Sequence, residues 1–233
     1  MIDYLRNAYA RYRIRYPIYF FHHLPKCGGT SVRQALKSWF HINNDYLDEH
    51  ETKVTPPIDL GTLISHNCVS GHFGHDGQHL AQRYPQVFKG FNARRRYRVF
   101  TFIRNPLKMR CSLYRHDLKV GSVEHESLVT AIMSYNNYYA RIMHIDERTW
   151  REQLDRYFFI GNADNLQESF DLLAEQIGKP KLVLPKSNTT KRGKSNTQDS
   201  LTEEQIAEFK AHNQLDYKIY EYVLARLDGL KNG

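Results

Sequence analysis

Two stretches of the chain, 19–24 (YFFHHL) and 98–104 (RVFTFIR), carry apolar and aromatic residues at consecutive positions rather than at helical spacing. Runs this short, without polar alternation, predict strands covered on both faces. Each leads into a helix: one over 31–40, after Gly28 and Gly29, and one that begins at Pro106 and runs to about Val120. A further strand is predicted over 63–70 and a short one over 158–161; helices are predicted over 126–135, 149–157 and, amphipathically, 166–177. Thr202 is the expected N-cap of a helical tail reaching Leu230, with Gln205 in the capping-box position. Strands alternating with helices predict an α/β fold, a parallel sheet flanked by helices with a mostly helical C-terminal half.

Two segments interrupt this pattern. Residues 41–59 are polar, contain Pro56 and Pro57 and have poor periodicity, and are expected to leave the core as an excursion. Residues 186–200 (KSNTTKRGKSNTQDS) form a low-complexity stretch, expected as a flexible basic loop. With 233 residues and 41% hydrophobic content, the chain is expected to form a single domain whose core starts at about Ile18. A net charge of +8 suits anionic ligands, nucleic acid or a membrane surface. No nucleic-acid-binding motif accompanies it, and Arg94, Arg95 and Arg96 read as a solvated loop, so no nucleic-acid partner is expected. No apolar run approaches the ~18 residues of a membrane span, and 1–17 lack a signal peptide's apolar centre; a cytoplasmic location is expected, or the Golgi lumen if an anchor has been removed. Cys27, Cys68 and Cys111 are odd in number and form no CxxC pair, so free thiols are expected.

The chemistry concentrates where the two buried strands end. In PKCGGTS (25–31) a lysine, two glycines and two hydroxyl residues fall between strand and helix. Backbone N–H groups at the helix start, the hydroxyls of Thr30 and Ser31 and the ammonium of Lys26 suit a single anion. The segment is not the G-x-x-x-x-G-K-[ST] loop of ATP and GTP enzymes, because the lysine precedes the glycines. Either segment alone has a plainer account: a glycine pair after a strand is often only a turn, and Arg104 before a helix-opening proline can face solvent. Together their order fits a sheet whose ligand lies beyond the strands' C-terminal ends.

PKCGGTS resembles the 5′-phosphosulfate loop of sulfotransferases that use 3′-phosphoadenosine 5′-phosphosulfate (PAPS), and Arg104, Asn105, Pro106, Ser112 and Tyr114 match most of that family's R-[DN]-P-x-x-R-x-x-S-x-Y pattern. Met109 stands at the second arginine, with Arg110 next to it. FFIGNADNLQESFDLL, with Asp164 where a glutamate is commoner, and the tail pattern at Asn213, Leu215, Asp216, Tyr217 and Tyr220 extend the likeness toward carbohydrate sulfotransferases related to heparan sulfate 2-O-sulfotransferase. The resemblance implies sulfuryl transfer from PAPS to a hydroxyl acceptor, expected to be a glycan. It implies donor contacts from Lys26, Cys27, Gly28, Gly29, Thr30, Ser31, Arg104 and Ser112, with Arg192 the favoured contact in the 186–200 loop.

Such chemistry asks for a base and for a cation at the leaving phosphate. Lys26 is the expected cation. His72, in VSGHFGHD after the 63–70 strand, is the expected base, and Asp76 is held in reserve. His66, Cys68, His72, His75, Asp76 and His79 crowd one segment, but no spacing among them makes a recognised closed zinc set, so no metal is expected. The competing classes are a kinase-like nucleotide binder, which would need a lysine after the glycines and a magnesium-holding acid, and a non-catalytic basic module on the same fold. The 136–141 stretch (NNYYAR) suits the acceptor side or, equally, a helical core face.

Overall fold

The computed structural model describes residues 17–45, 55–74, 78–89, 93–122, 127–185 and 201–232. Strands β1 (Ile18–His22), β2 (His41–Asn44), β3 (Asn67–Gly71), β4 (Tyr97–Ile103) and β5 (Phe159–Asn162) form one parallel sheet in the order β2-β3-β1-β4-β5. β1 is buried at every position and β4 at all but Arg98, as expected of central strands with helices on both faces. Phe20 pairs with Val69 on one side and Val99 on the other, so the aromatic run occupies the middle of the core.

Because the strands are parallel, all their C-terminal ends lie along one edge. From β1 the chain proceeds through β2 and β3 on one side, then crosses to β4 and β5 on the other. The crevice at such a reversal is where open α/β sheets hold ligands. It lies here between the ends of β1 and β4, where PKCGGTS and RNP emerge.

Helix α1 (Gly29–Leu36) follows β1. Short helices α2 (Leu80–Arg83), α3 (Pro85–Phe88) and α4 (Ala93–Arg96) join β3 to β4. Arg94, Arg95 and Arg96 are exposed, but on a helical turn rather than a loop. After β4 come α5 (Pro106–Val120), α6 (Leu128–Met133), α7 (Tyr138–Ile142) and α8 (Trp150–Asp155). After β5 come α9 (Leu166–Ile177), α10 (Glu203–His212) and α11 (Gln214–Asn232). The expected helices over 106–120 and 166–177 coincide with α5 and α9. The expected capping box is present: Gln205 N–H donates to Thr202 Oγ1 (3.2 Å) and Thr202 N–H to Gln205 Oε1 (3.0 Å).

Three expectations need correction. The helix expected over 31–40 stops at Leu36, and Trp39 turns back to stack on Phe170 with ring centroids 4.6 Å apart. The segment read as an excursion opens with β2, a polar edge strand that hydrophobic patterning does not reveal. Asp45, at its end, is buried in a bidentate pair with Arg83 (2.7 Å to Nε and to Nη2) and accepts from Tyr84 Oη at 2.6 Å. Residues 46–54 lie outside the described residues. The tail is two helices rather than one, broken at Asn213. No helix among the described residues is long and apolar enough to cross a membrane.

Candidate active site

The turn from β1 into α1 is shaped by backbone conformations that few side chains tolerate. Lys26 and Gly28 are left-handed, with φ of 59° and 77°. Gly29 has a different reason to lack a side chain: a Cβ there would lie 1.8 Å from Cδ2 of His23. No side-chain hydrogen bond caps α1 among the described residues and no acid sits in its first turn, so its N–H groups offer an anion site. Thr30 is exposed at this end and Ser31 is buried. Cys27 is turned inward: its Sγ lies 3.4 Å from Tyr139 Oη, and burial pushes its thiol pKa up to about 12. Cys27 is buried with its thiol toward Tyr139, and burial disfavours the thiolate form. Lys26 is half-buried, and its pKa is lowered by burial and by the Arg104 and Lys119 cations, against the pull of Asp117.

The second motif is held by residues distant in sequence. Asn105 caps α5, accepting from Lys108 N–H at 3.2 Å. Tyr139 Oη accepts from Arg104 N–H (3.0 Å) and donates to Arg104 O (2.9 Å), so one phenol joins the Arg104 backbone to Cys27 in the first motif. Asp164 accepts from Arg104 Nε (3.2 Å), Asn105 N–H (3.0 Å) and Tyr220 Oη (3.3 Å), with Lys108 Nζ at 3.5 Å. Burial alone would raise the Asp164 pKa, but the Asn105 N–H and the Lys108 and Arg104 cations hold it below the ordinary carboxylate range. Asp164 is met by Nε alone, and among the described residues neither terminal nitrogen of Arg104 makes a hydrogen bond. Ser112 is part-buried two helical turns along α5. Arg110 does not serve this site: it is buried and donates to Ala131 O, Ile132 O and Ser134 Oγ, neutralising the C-terminus of α6.

The third component comes from β3. His23 N–H bonds Gly71 O at 2.9 Å, and this parallel register puts His72 against His23, with ring centroids 4.0 Å apart. His23 itself is buried, and burial followed by the nearby His72, Arg33 and His22 holds its pKa well below 6.5. His22 is structural. Its Nε2–H donates to Phe73 O (2.7 Å), its Nδ1 accepts from Tyr157 Oη (2.9 Å), and burial lowers its pKa to about 4.

The remaining members of the histidine-rich segment disperse. Cys68 is enclosed within β3, with its thiol pKa raised by burial. His79 stacks on His144 and bonds Ile142 O at 2.9 Å. Among the described residues no group of three or more His, Cys, Asp or Glu is placed to hold a metal. His75, Asp76 and the whole 186–200 loop with Arg192 lie outside the described residues.

Sequence inspection singled out neither Tyr139 nor the role of Asp164. Tyr138 and Tyr139 form a core face while Arg141 is exposed, so 136–141 is at least partly packing. Asp216 accepts from Tyr139 N–H (2.9 Å) and Ala140 N–H (3.0 Å), capping α7. In return, Asn137 Oδ1 accepts from Leu215 N–H (3.0 Å) and Asp216 N–H (3.2 Å), capping α11. The Asn-x-Leu-Asp-Tyr pattern in the tail was the available signal: it is a capping exchange that sets Tyr139 between the two motifs.

A sulfotransferase from Alicyclobacillus acidocaldarius superposes on the chain with a TM-score of 0.51 at 14% identity, over 92% of this chain and 95% of that one. Mouse sulfotransferase SULT7A1, determined in complex with PAP, gives a TM-score of 0.50 at 10% identity, over 88% and 89% of the two chains. The chain has a sulfotransferase-like fold. No protein-family model matches it, and no curated protein does. At these identities the likeness speaks for architecture alone; in this chain Lys26, Arg104 and His72 follow the C-terminal ends of β1, β4 and β3, along one edge of the sheet.

Proposed function

We propose that the protein transfers a sulfuryl group from PAPS to a hydroxyl of an acceptor, a carbohydrate of the kind modified by enzymes related to heparan sulfate 2-O-sulfotransferase. The observation that carries this is the meeting at one sheet edge of a helix start without a side-chain cap beside Lys26, an arginine whose terminal nitrogens have no hydrogen bond among the described residues, and a histidine beside the loop. The SULT7A1 neighbour was determined with PAP, the product nucleotide of such a donor. The kinase-like alternative is less well served, because Thr30 and Ser31 follow the glycines where that chemistry needs a lysine.

PAPS would supply the sulfuryl group and a nucleotide phosphate as leaving group. The α1 amides, Thr30 and Ser31 bind and orient its 5′-phosphate, and Arg104 and Ser112 its 3′-phosphate. Lys26, with its ammonium partly withdrawn from water, meets the negative charge that grows as the S–O bond breaks. His72, through Nε2 because its Nδ1 is buried, takes the acceptor's proton, the step that makes the hydroxyl nucleophilic. Arg192, in the late basic loop, is assigned to the nucleotide by resemblance. No metal is needed, since fixed cations and amides oppose the donor's charge.

Thermal shift with PAP, ATP and AMP at equal concentration tests the reading. PAP is expected to stabilise the protein most, because only it carries the 3′-phosphate. Stabilisation by PAP no greater than by AMP refutes the donor site.

A further inference from the structure

At the start of α5, two side chains that the motif would enlist are taken out of use: Met109 is fully buried, and Arg110 is committed to the carbonyls of α6. A different cation stands in the right place. Lys108 Nζ lies 3.5 Å from Asp164 Oδ1, the same oxygen that Arg104 Nε holds at 3.2 Å. Lys108 also precedes Ser112 by four residues, so the two share one helix face a single turn apart. An anion bridging Arg104 and Ser112 would run along the helix face on which Lys108 also stands.

We propose that Lys108 is a nucleotide-binding residue that joins Arg104 on the 3′-phosphate, and that Asp164 is its resting partner in the free protein. This rests on the donor site described above. The exchange is permitted by an asymmetry around Asp164. The carboxylate is mostly covered, at 16% exposure, and keeps Arg104 Nε, Asn105 N–H and Tyr220 Oη if Lys108 departs. Lys108 is 47% exposed, sits at the long end of ion-pair distance, and is the partner most weakly held. A phosphate carries more charge than a carboxylate and draws the ammonium away, while Asp164 continues to fix the Arg104 fork. Asp164 is thus a positioning residue and Lys108 a binding one.

The test is isothermal titration of PAP and AMP into wild type, Lys108→Met, Lys108→Arg and Arg104→Ala at one ionic strength. Lys108→Met should weaken PAP by about 5- to 20-fold and leave AMP within about twofold, while Lys108→Arg keeps most of the PAP affinity. An unliganded melting temperature within about 2 °C of wild type would show that Lys108→Met is folded, as expected for an exposed side chain. If Lys108→Met keeps the wild-type PAP-to-AMP ratio while Arg104→Ala collapses it, the assignment of Lys108 is overturned and the donor site stands. If wild type binds PAP no better than AMP and Arg104→Ala changes nothing, the donor site itself is wrong and the role of Lys108 falls with it.

Discussion

Tyr139→Phe isolates the bridge between the β1–α1 turn and the Arg104 segment. The substitution keeps a ring that is fully buried and removes only the hydroxyl. That oxygen accepts from Arg104 N–H at 3.0 Å, donates to Arg104 O at 2.9 Å and faces Cys27 Sγ at 3.4 Å. Burial raises the phenol's pKa well above its usual value, so the group is a neutral donor and acceptor at every practical pH. Its loss leaves a backbone donor and acceptor without their partner in a part-buried site, at about 1 kcal/mol each, so roughly 2 kcal/mol of folding stability should disappear. For a chain this size that corresponds to a melting temperature lower by roughly 4–8 °C. Urea unfolding gives the free energy directly, and the midpoint should move with an unchanged m-value. PAP affinity should fall by about 3- to 10-fold, because the Arg104 backbone loses its anchor. A stability loss below about 0.5 kcal/mol, with PAP affinity intact, would refute the claim that Tyr139 sets the relation of the two motifs.

Arg104→Ala should weaken PAP by about 2 kcal/mol or more, and Ser112→Ala by less, in the same titration; no loss in Arg104→Ala contradicts the 3′-phosphate assignment. His72→Ala should leave PAP affinity nearly unchanged and slow transfer by roughly 10²-fold, whereas Lys26→Ala should impair both, rate more than binding. A panel of desulfated glycans with radiolabelled PAPS is the assay, and wild-type turnover in His72→Ala would move the base elsewhere. Transfer should persist in EDTA, and a strict requirement for added magnesium or zinc would count against the mechanism. Because the folded-state pKa of His22 lies near 4, below its ordinary 6.5, the unfolded chain takes up a proton first on acidification. The stability from neutral His22 is therefore full above pH 6.5 and lost as pH falls toward 4, by up to about 3 kcal/mol. In His22→Gln the pH slope of stability across that window should fall by about one proton, and an unchanged slope would show that His22 is not the titrating group.

The elements legible along the chain are those whose cause is local. β1 and β4 show as apolar runs because both faces are covered, α9 by its period, and α10 by a capping box between residues three positions apart. The tight turn of PKCGGTS could be inferred from its glycines, although the two serve differently: Gly28 for its left-handed backbone, Gly29 to let His23 approach. β2 was invisible because an edge strand of sequence HINN needs no hydrophobic pattern; pairing with β3 and the buried Asp45–Arg83 pair hold it. The site's supports were likewise hidden. Arg104 and Asp164 are 60 residues apart, and Tyr139 and Asp216 are 77 apart. Each of these residues taken alone is an ordinary polar or aromatic side chain. What gives them roles is the parallel sheet, which brings every strand's C-terminal end to one edge, and the exchange of caps between α7 and α11, which sets Tyr139 there. Local patterning fixes which segments can form strands and helices, because burial and backbone geometry act over a few residues. Partners across the fold are selected only when the packed core fixes distances to within a hydrogen bond, and that selection decides which cations are left at the sheet edge and which, like Arg110, are spent on the scaffold.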